Sequence, residues 1–481
     1  MSRTITAVGA YVPQARLPAE AVSEAWGRFD GAGIRSTAVP GADEDTLTMA
    51  GEAARRALEA ADLEAAELEA VTFATTTPPL EEAELAVRLG AFLGTGDSTR
   101  HETAGASTNA GVAALADAFE GDAGPHLVVA SDASRGEPDS AQAHAAGAGA
   151  AAFVLESSGG ARCLARADAG LDYPGTRFRE AGSSAVDSLG ITPYEREAFT
   201  ETIGRAIDGL GESFDPASAD AVAVQAPNGK LPYRASGILG VDTDVMTEHA
   251  VVHDLGDLGA ASVPLSLASA LAAGEETILG VGYGSGSVST ILALEAGESD
   301  DAGAVSGEVD LESDETISYA DSLRLRGEIT GGEPAGGGAY VSVPSWQRST
   351  PQRYRLEAGE CPSCGALNFL PQGACRRCHE LVDYEPVQLE REGTIETVSV
   401  ISQGGAPPEF AELQARAGDY ATAIVAFDGP GESDERASAP LLIVDADPES
   451  VNVGDRVEAT IRRIYTQEGV TRYGIKARPL E

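Results

Sequence analysis

The residues best spaced for chemistry are Cys361, Cys364, Cys375 and Cys378, in the knuckles CPSC and CRRC separated by ten residues. Two CxxC pairs at this spacing supply four thiolates that close tetrahedrally on a zinc ion. With all four positions held by sulfur, none is left for water, and the ion is structural. A redox CxxC is normally single and sits in a βαβ unit, which is not the pattern here. His379, beside Cys378, reads as a surface residue, and the fifth cysteine, Cys163, as a small core residue.

The elements that must hold these residues follow from periodicity. Over the first 300 residues or so, short β-like runs alternate with alanine-rich helical stretches. Thr4–Val12, Ala70–Thr77, His126–Ser131 and Gly149–Glu156 are expected strands; Thr46–Ala61 and Ala110–Glu120 are expected helices. The pattern recurs with strands Asp220–Pro227, Glu276–Gly284 and Ser287–Glu295 and a helix over Val263–Ala273. Alternation repeated twice predicts two similar α/β halves. The acidic stretch Gly297–Glu315 is expected to be a solvated loop and Ser318–Ile329 to be structured; the main boundary is placed near Tyr340. Beyond the cysteines, Val457–Ile464 and Thr471–Ala477 flank a short turn and fit a small β-barrel. The domains are thus 1–165 and 166–340, the two α/β halves, then a zinc ribbon over 341–385 and an OB-type barrel over 386–481.

Charge limits the partners. The 481 residues carry 76 Asp and Glu against 33 Lys and Arg, a net charge of −43, and the lysines are Lys230 and Lys476 alone. The acid is spread between well-patterned apolar segments, unlike a disordered acidic tail. A carboxylate-rich surface purged of lysine suits concentrated salt, where a Debye length of about 3 Å near 1 M screens its self-repulsion. Nucleic acid is excluded as a partner, because phosphate binding needs clustered Lys and Arg. No apolar run reaches the roughly 18 residues of a membrane span. The N-terminus lacks the charged and apolar regions of an export signal, so the expected location is the cytoplasm.

Gly9–Gly27 (GAYVPQARLPAEAVSEAWG) and Val39–Leu58 (VPGADEDTLTMAGEAARRAL) resemble the opening of archaeal 3-hydroxy-3-methylglutaryl-CoA synthases. The likeness extends through Ala226–Pro232 (APNGKLP), Leu258–Leu265, Tyr283–Ser287 (YGSGS) and Ser318–Ile329, and covers roughly residues 1–330. From Arg353 (RYRLEAGECPSCG) to the C-terminus the chain resembles the zinc-ribbon/OB-fold proteins that accompany archaeal thiolases and synthases. The resemblance implies a thiolase fold of two duplicated halves, an acyl-CoA ligand, a homodimer, and a thiolase or synthase as partner.

That family's chemistry uses a cysteine that takes the acetyl group, a glutamate that moves the proton, and a histidine that orients the second acyl-CoA. Carried across by motif, the cysteine position in GASTNAGVAAL is Thr108, preceded by Ser107; the glutamate position in FATTTPP is Thr76. The histidine position, two residues before the proline of PNGK, is Gln225, and a related asparagine position is Asp257. A hydroxyl is a far weaker acid than a thiol and needs an adjacent base. The resemblance leaves Asn228 and Lys230 of PNGK, with Gly284 and Ser285 of YGSGS, as the acyl-CoA contacts. The expectation is an acyl-CoA-binding partner or scaffold without the family's catalysis. The alternative is a condensing acyltransferase with Ser107 or Thr108 as nucleophile and Asp257, His101 or His253 as base.

Overall fold

Small and β-branched residues in unbroken runs form strands buried on both faces, as in the first strand Thr4–Tyr11, and alanine-rich runs pack as helices against them. A computed structural model describes residues 3–121, 124–297, 304–330, 343–402, 410–431, 433–467 and 469–480. It divides into two compact units, Met1–Pro40 with Asp45–Ser322, and Gly41–Glu44 with Leu323–Glu481.

The first unit is built on one sheet of nine strands: β1 (Thr4–Tyr11), β2 (Ala70–Ala74), β3 (Arg100–Ala104), β4 (His126–Ala133), β5 (Ala148–Glu156), β6 (Ala161–Gly170), β7 (Ala221–Val224), β8 (Thr277–Gly284) and β9 (Val288–Glu295). Their order is β3-β2-β4-β5-β1-β6-β9-β8-β7. Outward from the β1–β6 junction the two sides repeat one pattern. An antiparallel partner comes first (β5 or β9), then a second antiparallel strand (β4 or β8), then a parallel one (β2 or β7). The duplication expected from the sequence is therefore written into the sheet.

The longest helices that cover it among the described residues are α1 (Thr46–Ala60), α2 (Ala110–Phe119), α3 (Thr192–Leu210) and α4 (Ser262–Ala273). Asp45 caps α1 by accepting from the N–H groups of Leu47 and Thr48 at 3.0 and 3.1 Å. A Cβ on Gly9 of β1 would stand 2.3 Å from Ala53 O, so glycine alone lets this strand approach the helix. Helices α2 and α4 share one core with β1, β4 and β5. Gly111 is what permits their contact, since a Cβ there would lie 2.1 Å from Ala260 O. None of the helices among the described residues is long and apolar enough to cross a membrane.

Two expectations change. The strand predicted over Ala70–Thr77 ends at Ala74, because Thr75–Thr77 turn out of the sheet to surround Asp132. The acidic stretch is a solvated loop on its acidic side, with Glu308, Asp310, Glu312, Asp314 and Glu315 exposed, but it is anchored to the first unit. Val305, Val309 and Leu311 pack against the core, and Ser306 bonds Val8 N and Thr6 O of β1, each at 2.9 Å. Its sparse apolar residues are enough to seat it because β1 offers free backbone groups. Residues 298–303, and the boundary placed near Tyr340, lie outside the described residues.

The second unit holds a three-stranded ribbon, Leu367–Asn368, Glu357–Glu360 and Glu385–Gln388 in that order, and a closed barrel of OB type. The barrel strands are β10 (Glu392–Ile401), β11 (Tyr420–Asp428), β12 (Arg436–Ile443), β13 (Arg456–Gln467) and β14 (Val470–Pro479), ordered β10-β11-β12-β14-β13. Ile395, Val425, Phe427, Ala439, Val457 and Ala477 fill it. Two cations are fully buried, each paired with acids. Lys476 Nζ lies 2.8 Å from Asp43 Oδ2, and Arg462 Nη2 lies 2.9 Å from Asp445 and 3.2 Å from Glu44.

Burial alone would raise the Asp43 carboxyl, but the charges of Lys476 and Arg462 and the lysine hydrogen bond outweigh it and hold it below its ordinary value. Its contribution to stability is therefore complete above the unfolded carboxylate value of about 3.9 and is lost as pH falls through the depressed one. Asp43→Asn strands the Lys476 ammonium in the interior. The expected loss is about 3–5 kcal/mol in the unfolding of this unit, read by urea denaturation near neutral pH.

Candidate functional site

Helix α2 begins at the residues the resemblance singled out. Thr108 is buried, and its hydroxyl donates to Tyr283 O at 2.8 Å. Ser107 Oγ accepts from Asn109 N at 3.2 Å. The end of β8 presses onto this helix start: a Cβ at Gly284 would lie 1.9 Å from Ser107 Oγ and 2.8 Å from Asn109 N. The Asn109 side chain meets β9 twice, donating to Thr290 Oγ1 at 2.9 Å and accepting from Thr290 N at 3.1 Å.

A cleft of about 440 Å³ opens over this point. Thr108, Gln225, Asp257, Asn228, Gly284 and Ser285, six of the positions carried over from the sequence, all line it. Gln225 is buried, and its Nε2 donates to Gly259 O at 3.0 Å. A carbonyl on that side fixes the amide orientation, so Oε1 is the free atom, and it has no hydrogen-bond partner. Asp257 Oδ1 accepts from Gly259 N at 2.9 Å, while Oδ2 is ion-paired with Arg177 Nη1. Arg177 Nη2 is buried without a hydrogen-bond partner. Unsatisfied buried donors and acceptors are costly, and a cleft that presents Arg177 Nη2 as donor with Gln225 Oε1 and Glu195 Oε1 as acceptors is suited to a ligand carrying both kinds of group.

Thr76 lies elsewhere, on a second cleft of about 480 Å³ that shares Arg177, Val186 and Ser285 with the first. Its hydroxyl donates to Asp132 Oδ2 at 2.7 Å. Asp132 also accepts from the hydroxyls of Thr75 and Thr77, each at 2.8 Å, and from the N–H groups of Thr76, Thr77 and Ala260 at 2.6–2.9 Å. Thr76 is thus part of a cage around a fully buried carboxylate. Lys230 is exposed and is not among the cleft-lining residues, although its neighbours Asn228 and Leu231 are; its N–H donates to Asn228 Oδ1 at 3.0 Å.

No histidine or cysteine lines either cleft among the described residues. His101 bonds Thr95 Oγ1 at 3.2 Å on the edge strand. His253 donates from Nδ1 to Gly33 O at 2.7 Å and so accepts from the Tyr233 hydroxyl at Nε2, 2.6 Å away. His126 is lowered to about 4, first by burial and then by Arg3 and Arg100, and is neutral at pH 7. Cys163 is half-buried against the core, and burial raises its thiol. Sequence reasoning missed Asp132 and Arg177. An aspartate inside a buried strand, and three successive threonines at a strand end, were the available signals for the first.

In the ribbon, the Sγ atoms of Cys361 and Cys378 are 3.7 Å apart, as are those of Cys364 and Cys375, and all four lie within 4.8 Å of one another. A tetrahedral zinc with bonds of about 2.3 Å places sulfurs about 3.75 Å apart, so the four residues fit the ion. The N–H groups of Cys378 and Arg377 lower the Cys375 thiol to about 6, favouring thiolate. His379 is exposed, with its backbone in the left-handed region (φ 63°).

One nine-stranded sheet in two matching halves, with a central helix start facing a cleft, defines a thiolase-fold protein. A solved structure described as HMG_CoA synthase complexed with CoA superposes with a TM-score of 0.60 at 18% identity, covering 71% of this chain and 94% of that one. Hydroxymethylglutaryl-CoA synthase of Archaeoglobus fulgidus is 30% identical over 306 residues, 60% of this chain and 88% of that protein. A DUF35 domain-containing scaffold protein of Methanocaldococcus jannaschii is 36% identical over 141 residues, 29% of this chain and 91% of that protein. Residues 348–382 match the family described as ChsH2, rubredoxin-like zinc ribbon domain. The chain belongs to the hydroxymethylglutaryl-CoA synthase family, with a DUF35 scaffold portion fused at its C-terminus.

Cys375→Ser removes one of the four thiolates. The expected result is loss of the ribbon-bound zinc, measured by metal analysis of the purified chain, with cooperative unfolding of the first unit unchanged in calorimetry.

Proposed function

We propose that this chain binds acyl-CoA without performing the family's thioester chemistry, and serves as a partner or scaffold for a thiolase or an intact synthase. The observation that carries this reading is the start of α2. There the motif places Thr108 at the acyl-accepting position, and its proton is committed to the Tyr283 carbonyl. Activating a hydroxyl requires a base within about 3 Å. Asp257, one of four carboxylates lining that cleft with Asp30, Asp187 and Glu195, is held by Arg177 and Gly259 N. Gln225, at the position of the orienting histidine, takes up no proton at ordinary pH.

The acyl-CoA arm is a chain of amides, and amides both donate and accept. Gln225 Oε1 and Arg177 Nη2 are suited to them, while Asn228, Gly284 and Ser285 line the same cleft and the exposed Lys230 adjoins the lining residue Leu231 in the chain. Zinc holds the ribbon as a structural ion. The likeness to a scaffold protein supports a bridging role for the second unit. The reading also includes a cytoplasmic, salt-adapted homodimer. Light scattering behind gel filtration in concentrated salt is expected to give twice the 481-residue chain mass, and a single chain mass would remove the dimer.

The alternative is a condensing acyltransferase that uses Ser107 or Thr108. Mass spectrometry in high salt after incubation with acetyl-CoA and acetoacetyl-CoA separates the two. The expected outcome is an unmodified chain, together with saturable CoA binding by calorimetry. A stable acyl adduct on Ser107 or Thr108 with turnover would make it an enzyme. Absence of CoA binding would remove the ligand itself.

A further inference from the structure

Away from both clefts, Glu248 and His249 follow the short helix Asp244–Thr247, and Glu275 stands just beyond Gly274, which closes α4 in the left-handed conformation (φ 84°). Glu275 is fixed in place by its own backbone, whose N–H donates to Ala270 O at 3.1 Å. Ser269, on the last turns of α4, lies with its Oγ 3.1 Å from His249 Nδ1, which directs Nε2 at Glu275 Oε1. One ligand atom from each of Glu248, His249 and Glu275 lies within 4.8 Å of the other two.

The distances suit a shared ligand sphere. Two ligands bound at about 2.0–2.1 Å to one tetrahedral ion stand about 3.3–3.4 Å apart. His249 Nε2 and Glu275 Oε1 are 3.3 Å apart, a spacing that fits both a long hydrogen bond and the edge of a shared coordination sphere. The imidazole is enclosed, with 11% of the side chain exposed, and its second nitrogen has the hydroxyl partner that orients metal-bound histidines.

We propose that Glu248, His249 and Glu275 form a second metal site, for a divalent ion of the zinc, cobalt or nickel type, with water completing the sphere. One imidazole and two carboxylates favour such ions over magnesium or calcium, which take oxygen alone. The ion would staple the turn after Asp244–Thr247 to the C-terminal end of α4. The opposite end of that helix follows Gly259 and Ala260, whose backbone groups bind Gln225, Asp257 and Asp132. The site does not depend on whether acyl-CoA binds.

The test is zinc titration of the full-length chain in concentrated salt, which suppresses loose association with the acidic surface, followed by metal counting after gel filtration. The wild type is expected to hold two zinc ions per chain, and H249Q and E275Q one each, the thiolate-bound ion of the ribbon. Cobalt gives an independent readout: the first equivalent shows intense thiolate charge-transfer bands, the second only weak ligand-field bands that vanish in H249Q. Circular dichroism checks that the variants fold, and E275Q carries the test if H249Q does not. One ion per wild-type chain at saturating zinc, or two persisting in folded H249Q or E275Q, overturns the proposal.

Discussion

Everything in the first unit turns on how α2 enters the interior of a duplicated sheet. A helix start carries unpaired N–H groups and, here, three polar side chains, and all must find partners away from water. Thr108 is answered by the Tyr283 carbonyl, and Asn109 by both polar groups of Thr290, whose hydroxyl passes on to Asp168 at 2.6 Å. These bonds join the first half of the duplication to the second. They also require Gly282 and Gly284 to be bare, since a Cβ on either would strike Asn109 or Ser107. The same few residues therefore weld the fold and floor the cleft. A hydroxyl in this position is spent on architecture, which is why its chemistry and its packing cannot be separated.

The barrel meets the opposite problem, charge inside an acid-rich chain. Lys476 and Arg462 are fully enclosed, each against carboxylates, in a molecule whose surface relies on Asp, Glu and Arg. Exposed pairs are weakened by salt, while pairs out of reach of ions are screened much less. Burying cations with their partners gives the second unit interactions that hold when its surface pairs are screened.

Much of this was legible in residue order. Alternating apolar runs placed seven strands and three helices of the first unit to within a few residues but missed β3, β6 and α3, whose patterns are polar or mixed, and the cysteine spacing specified the ribbon site. The motifs also brought Thr108, Gln225 and Asp257 to one cleft, because each sits at the end of an element whose direction the sheet fixes. What could not be read was long-range. Arg177 reaches Asp257 across 80 positions, and Asp132 gathers the Thr75–Thr77 hydroxyls from more than 50 away. No periodicity reports such pairings. The acidic stretch after β9 was half legible: composition gave its solvated acids, whereas the three apolar side chains and the β1 backbone groups that anchor it were not to be read. Lys476 was visible as a rarity, but nothing local to it announced that it would be buried.

The scarcity of lysine has an outcome for anyone who wants to watch this protein at work. With Lys476 sealed in the second unit, Lys230 is the one side-chain amine that solvent reaches, and in the chain it sits between Asn228 and Leu231, which line the cleft. Chain terminus aside, an amine-selective dye or crosslinker has a single address on the molecule. A composition so poor in lysine has thereby left a natural labelling handle one residue along the chain from a side chain of the candidate cleft.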